Sequence, residues 1–194
     1  MKIAITGNIG CGKSTFSSFA EEKGFVVLRA DDVSKQILEN DEKVRELVIK
    51  NFGTESFINN KPNKKYLAEK IFSDQKKREK LESILHPRVI KKIDQTIKDI
   101  EKKNKVVFIE AALIYEADME EMFDYVILIT AQRELRLARK ISSGISEADF
   151  CKREANQIPE EEKKKRADFI FSNDTSIEDL KSKFNLLLIT LGIN

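Results

Sequence analysis

The sequence predicts an α/β fold: a five-stranded parallel sheet with helices on both faces and two helical excursions from it. Three observations carry that expectation. Short continuous apolar runs at residues 3–5, 25–28, 106–109, 125–129 and 169–171 have the composition of strands buried on both faces. Helical periodicity fills the stretches between them. Between the first run and the first helical pattern stands Gly7-Asn8-Ile9-Gly10-Cys11-Gly12-Lys13-Ser14-Thr15, which fits GxxxxGK[ST].

In that loop the glycines let backbone N–H groups turn toward phosphate oxygens, and the helix behind it aims its positive end at the same place. Lys13 has the reach for β and γ phosphates, and the Ser14 hydroxyl suits magnesium. Phe16, Phe19 and Ala20 recur at helical spacing until Gly24. The second strand delivers Arg29, Ala30, Asp31 and Asp32 at its carboxyl end, where α/β sheets take ligands. From 33 to 104 the patterning is helical: Val44, Leu47 and Val48 mark one helix, residues 66–72 another, and Ser73 is placed to cap a third ending near Leu85. Residues 54–65, with Asn59, Asn60 and Pro62, are expected to form a mobile tip. Pro87 suits the first turn of a long helix striped by Ile90, Ile93, Ile97 and Ile100. The third strand ends in Glu110. A second helical insertion comes after the fourth strand, with Ser146 and Asp149 spaced as a capping box, and Ser176 opens the last helix.

Charged residues make up 35% of the chain, above the usual level of about 25%, yet the net charge is +2. That near balance gives no reason to expect nucleic acid or a membrane as partner, and no apolar run approaches the roughly 20 residues of a membrane span. Two cysteines suggest no disulfide framework, and a cytoplasmic location is expected. The composition sets no oligomeric state. Residues 33–104 hold 18 Lys/Arg against 12 Asp/Glu, a lean toward an anionic partner.

A loop of this kind says only that a nucleoside triphosphate is held. No Asn-Lys pair is followed by Asp at the spacing a GTPase uses to read its base, and a small-molecule kinase fits the length better. Such an enzyme needs a carboxylate beside the acceptor hydroxyl and cations around the transferred group. Asp31 is the candidate base, with Asp32 better placed to cap the helix near Val33. Glu110 is a candidate for a magnesium-bound water or an ordinary strand-end carboxylate. Arg133, Arg136 and Arg139 recur every third residue and form either a lid face or a solvated face. His86, the single histidine, is placed to meet substrate or cap a helix. Cys11 offers its backbone, and Cys151 is a small helix residue.

Taken together these residues resemble the dephospho-coenzyme A kinase family. Besides the loop, the likeness rests on Ala30-Asp31, Phe52-Gly53, Leu85-His86-Pro87-Arg88-Val89, Leu113-Ile114-Tyr115-Glu116, and Arg153, Gln157, Lys163, Ala167-Asp168 and Asn173 in order. The resemblance implies the P-loop kinase fold and transfer from ATP, with Mg2+, to the ribose 3′-hydroxyl of dephospho-coenzyme A. It implies that Gly10, Cys11, Gly12, Lys13, Ser14 and Thr15 hold the ATP phosphates and that Asp31 is the base. It also implies that His86 lies near the acceptor, that Arg136 and Arg139 close on the phosphates, and that Asn173 lies toward the adenine. Ser14 and Glu110 are then the magnesium residues. Residues 1–32, 105–130 and 167–194 would be the nucleotide-binding core, 33–104 the acceptor domain and 131–166 the lid. Four positions depart from the family pattern: Arg29 and Glu110 stand where Asp is usual, Ala112 for Pro, and Lys64 for Arg. Arg29 matters most, since it removes one carboxylate and sets a guanidinium beside Asp31. A nucleoside monophosphate kinase would share core, lid and arginines, whereas a non-catalytic ATP switch would need the loop alone.

Overall fold

The computed structural model describes residues 1–193, with the backbone alone for Phe72 and Ser73. The chain runs β1 (Lys2–Thr6), α1 (Lys13–Glu22), β2 (Val26–Arg29), α2 (Ala30–Asn40), α3 (Glu42–Phe52), β3 (Phe57–Ile58), β4 (Lys61–Pro62), α4 (Lys64–Ser73) and α5 (Gln75–Glu101). It continues through β5 (Val107–Glu110), β6 (Tyr125–Thr130), α6 (Arg133–Ser142), α7 (Glu147–Glu154), α8 (Glu160–Lys164), β7 (Phe169–Ser172) and α9 (Ile177–Thr190). Two compact units result: Met1–Leu28 with Asp99–Asn194, and Arg29–Lys98. Segment 131–166 falls within the first of these.

The first unit is built on a five-stranded sheet in the order β2-β5-β1-β6-β7. β1 pairs in parallel with β5 (Ile3 beside Phe108) and with β6 (Ile5 beside Ile127), and β6 pairs in parallel with β7. Successive strand side chains point to opposite faces, and Ile3, Ala4 and Ile5 are all fully buried, so both faces of the sheet are covered. Phe16 of α1 and Phe184 of α9 meet edge to face with centroids 5.2 Å apart, joining the helices above the strands. Ser146 and Ser176 cap α7 and α9 as expected, each accepting the N–H of the residue three further on. Among the described residues no helix is long and apolar enough to cross a membrane.

The helical unit packs α3, α4 and the start of α5 around Val44, Val48, Phe52, Leu67, Leu81, Ile84 and Leu85. Three expectations are corrected here. Residues 57–62 form a two-stranded antiparallel hairpin instead of a mobile tip. Its two-residue turn needs positive φ at both positions, and Asn59 (49°) and Asn60 (64°) supply it; Arg45 then donates to Asn60 Oδ1 at 2.6 Å. Second, α5 is one helix with Pro87 inside it. The proline takes the N–H that Ser83 O would have received, but Pro87 and Ser83 are both exposed, so water can satisfy that carbonyl. The opposite face, with Leu81, Ile84, Leu85, Val89 and Ile93, stays buried and keeps the helix going. The cap expected at Ser73 lies outside the described side chains; Asp74 serves α5, accepting from Lys76 N and Lys77 N. Third, α2 starts at Ala30, so neither Asp31 nor Asp32 is its N-cap. Both lie in the first turn, where the helix dipole favours a carboxylate. Asp32 pairs with Lys35 at 2.8 Å, and that hydrogen bond lowers its carboxyl below the usual range.

Candidate active site

The loop between β1 and α1 is held from outside. Its successive carbonyls each accept from a side chain: Lys13 Nζ lies 2.8 Å from Gly7 O and 3.4 Å from Asn8 O, Arg136 Nη1 3.2 Å from Ile9 O, Arg139 Nη1 3.4 Å from Gly10 O, and Asn173 Nδ2 2.8 Å from Cys11 O. With the carbonyls of Ile9, Gly10 and Cys11 tied to side chains from elsewhere in the chain, the loop's remaining N–H groups can form an anion-binding concavity. Helix α1 begins at Lys13, so the N–H groups of its first turn have no carbonyl one turn back and add to that field. Two glycines are required by contact as well as by conformation. Gly10 (φ 81°) would place a Cβ 2.6 Å from Arg136 O, and Gly12 (φ 100°) would drive one into the Asn173 amide.

Ser14 and Glu110 come together. Ser14 Oγ donates to Glu110 Oε1 and Ser17 Oγ to Glu110 Oε2, both at 2.6 Å. Ser17 was not expected; its three-residue spacing from Ser14, which puts both hydroxyls on one side of the first turns of α1, was the available signal. A serine hydroxyl beside a carboxylate is an all-oxygen donor set of the kind a hard cation takes together with phosphates and water. Groups of three or more His, Cys, Asp or Glu able to hold a metal are absent among the described residues.

The arginines of α6 do different work from one another. Arg136, expected to close on phosphates, is buried: its Nε donates to Ala131 O at 3.1 Å, and its Nη2 pairs with Glu154 Oε1 at 2.7 Å. Burial and three fixed partners make it a support for the loop. Arg133 pairs with the other Glu154 oxygen at 2.8 Å, and both guanidinium groups stack on Phe150. Arg139 is half-buried at the loop's edge and also donates to Asn173 O at 2.8 Å. Asn173, expected toward the adenine, thus touches the loop through its side chain and Arg139 through its carbonyl. Gln157 accepts the Ile9 N–H at 2.8 Å. Lys163 is fully buried and lies 2.8 Å from Glu116 Oε1; burial lowers its pKa. Asp168 exchanges two hydrogen bonds with the Val126 backbone, extending the β6–β7 ladder. Asp31 and His86 belong to the helical unit, Asp31 exposed in the first turn of α2 and His86 half-buried within α5, where it caps nothing.

A family model described as dephospho-CoA kinase matches residues 1–179. The dephospho-CoA kinase of Aquifex aeolicus is 37% identical over 180 residues, covering 92% of this chain and 91% of that protein. The solved dephospho-CoA kinase of Campylobacter jejuni superposes with a TM-score of 0.74 at 31% identity, covering 99% of both chains. A shikimate kinase structure from Acinetobacter baumannii, at 16% identity and TM-score 0.58 over 100% of this chain and 95% of that one, shares the fold. These likenesses span the loop, the strands and the helical insertions alike. The chain belongs to the dephospho-CoA kinase family, and its reaction is the ATP-dependent phosphorylation of dephospho-CoA, the last step of coenzyme A synthesis.

Proposed function

We propose that the chain works in the cytoplasm on Mg·ATP and passes the γ-phosphoryl group in line to the ribose 3′-hydroxyl of dephospho-coenzyme A. The observation that carries this reading is the phosphate loop with the carbonyls of Ile9, Gly10 and Cys11 held by Arg136, Arg139 and Asn173, in a chain of this family. Residues 10–15 hold the phosphates, with the Cys11 N–H bracing the loop on Asn8 O, and Lys13 exchanges its loop carbonyls for β and γ oxygens. Ser14 and Glu110 would hold the magnesium ion, which when bound would offset phosphate charge. Arg139 covers charge developing on the transferred group, while Arg136 keeps the loop in shape. Asp31 takes the proton of the acceptor hydroxyl as it attacks.

Residues 33–104 take the acceptor, whose diphosphate suits the basic excess of that stretch, and His86 donates a hydrogen bond to it. Residues 131–166 act as the lid that keeps water from the γ-phosphoryl group. The test is a coupled ADP-release assay with Mg·ATP, offering dephospho-coenzyme A, AMP, CMP and dTMP in parallel against an Asp31→Asn control. Turnover with dephospho-coenzyme A alone, yielding a 3′-phosphate and lost in Asp31→Asn, is the expected result. Turnover with a monophosphate instead would overturn the acceptor assignment, and near-normal turnover in Asp31→Asn would overturn the base.

A further inference from the structure

The backbone of Ile9 is gripped at its N–H and at its carbonyl, on two successive peptides, by residues far along the chain. Gln157 Oε1 accepts its N–H at 2.8 Å, and buried Arg136 donates to its carbonyl at 3.2 Å. Neither grip is free to drift. Arg136 is itself fixed by Glu154, which stands three residues before Gln157 and is 2.7 Å from the guanidinium. Gln157 is fixed through its C-terminal neighbours: Glu116 Oε1 accepts the Ile158 N–H at 2.9 Å and pairs with Lys163 at 2.8 Å, pinning the chain on both sides of Pro159. A fully buried lysine is expensive, because its charge leaves water for one carboxylate partner. Anchoring the stretch that carries Gln157 gives that burial a purpose.

The Ile9 N–H is also the last loop donor before the residues that take phosphate. With Gln157 occupying it, the anion site begins at Gly10, and Arg136 supports the next peptide through the Ile9 carbonyl. We infer that Gln157, with Arg136 and Glu154 opposite it, is a positioning device that holds the loop ready for ATP, so that nucleotide affinity depends on the segment 131–166. This rests on the reading of the loop as the ATP site but not on the identity of the acceptor.

Gln157→Met keeps the length of the side chain and removes the acceptor. Calorimetric titration of the full chain with Mg·ATP should show Kd raised about tenfold, the equivalent of one neutral hydrogen bond used to hold the loop. Amide hydrogen exchange at Ile9 should quicken in the same variant, and Gln157→Glu, which restores an oxygen acceptor, should slow it again. Binding of dephospho-coenzyme A without nucleotide should stay within about twofold. A lower Tm with unchanged Kd for Mg·ATP would make the contact a strut only and overturn the inference. Should Gln157→Met not fold, Glu154→Gln removes only the charge that holds Arg136 and is read by the same two measurements. Mg·ATP binding needs no acceptor, so an error in the acceptor assignment leaves this readout standing.

Discussion

The nucleotide unit places polar side chains inside, whereas the helical unit keeps them on its surface. Arg136, Lys163, Asn173, Asn8 and Ser17 are all buried in the first, and among the described residues Ser56 is the buried polar residue of the second. In the helical unit the ion pairs Lys35–Asp32, Lys64–Glu39 and Arg78–Glu82 are exposed or half-exposed. Pairs of that kind contribute about 0–1 kcal/mol each, and the unit is held by its apolar cluster. The difference teaches where geometry must be fixed. A loop that binds phosphate through its backbone needs its carbonyls tied down, and buried donors tie them most rigidly. On the proposed reading, in which the helical unit meets a flexible, anionic acceptor, charge matters there more than fixed positions.

The sharpest break between the units should come from Lys13→Ala. Turnover should fall by about 10³-fold, since a positioned cation at the transferred phosphoryl group is lost, and the Tm should stay close to that of the parent. Steady-state kinetics alongside calorimetry check both halves. Next in size, Leu85→Ala should destabilise the helical core by about 2–5 kcal/mol in denaturant unfolding. Isolated Mg·ATP affinity should be unchanged, because none of the groups on the loop carbonyls comes from residues 29–98. A loss of Mg·ATP affinity equal to that in Lys13→Ala would erase the distinction between the units.

Helix caps should sharpen the comparison at smaller scale. Ser176→Ala removes the acceptor of the Asp179 N–H in one unit, and Asp41→Ala that of the Val44 N–H in the other. Each should cost about 1 kcal/mol in thermal unfolding with turnover per folded molecule preserved for Ser176→Ala. The smallest effect lies at high pH. Burial pushes the Tyr115 phenol up to about 12 from its ordinary 10.0, so between those values the unfolded chain releases a proton that the folded chain keeps. Stability from this group is therefore present below pH 10 and declines as pH rises toward 12. A tyrosinate absorbance titration of the parent against Tyr115→Phe should show the missing residue as the late one, and in denaturant it should ionise near about 10.

Much of the first unit was legible in advance. Strands buried on both faces are continuous apolar runs, and β1, β5, β6 and β7 fell within a residue or two of their expected places. The caps at Ser146 and Ser176 were legible because the acceptor and its N–H lie three residues apart. The hairpin at 57–62 was missed because its strands are two residues long and its turn is Asn-Asn, without glycine. Pro87 misled because its cost depends on whether the freed carbonyl is wet, and that depends on which helix face is packed.

At the site, the sequence by itself determined the loop, its lysine and serine, and Glu110 at a strand end, because phosphate binding by backbone demands that local pattern. Periodicity also determined that Arg133, Arg136 and Arg139 share a helix. Only the tertiary structure decided their tasks: Arg136 went inside because Glu154, 18 residues on, offered a carboxylate there, and Arg139 stayed at the rim. The same holds for Gln157 and Asn173, whose partners on the loop lie 148 and 162 residues away. Hydrogen bonds between residues so distant leave no spacing in the chain, since their geometry exists only after the sheet has set the order of its strands.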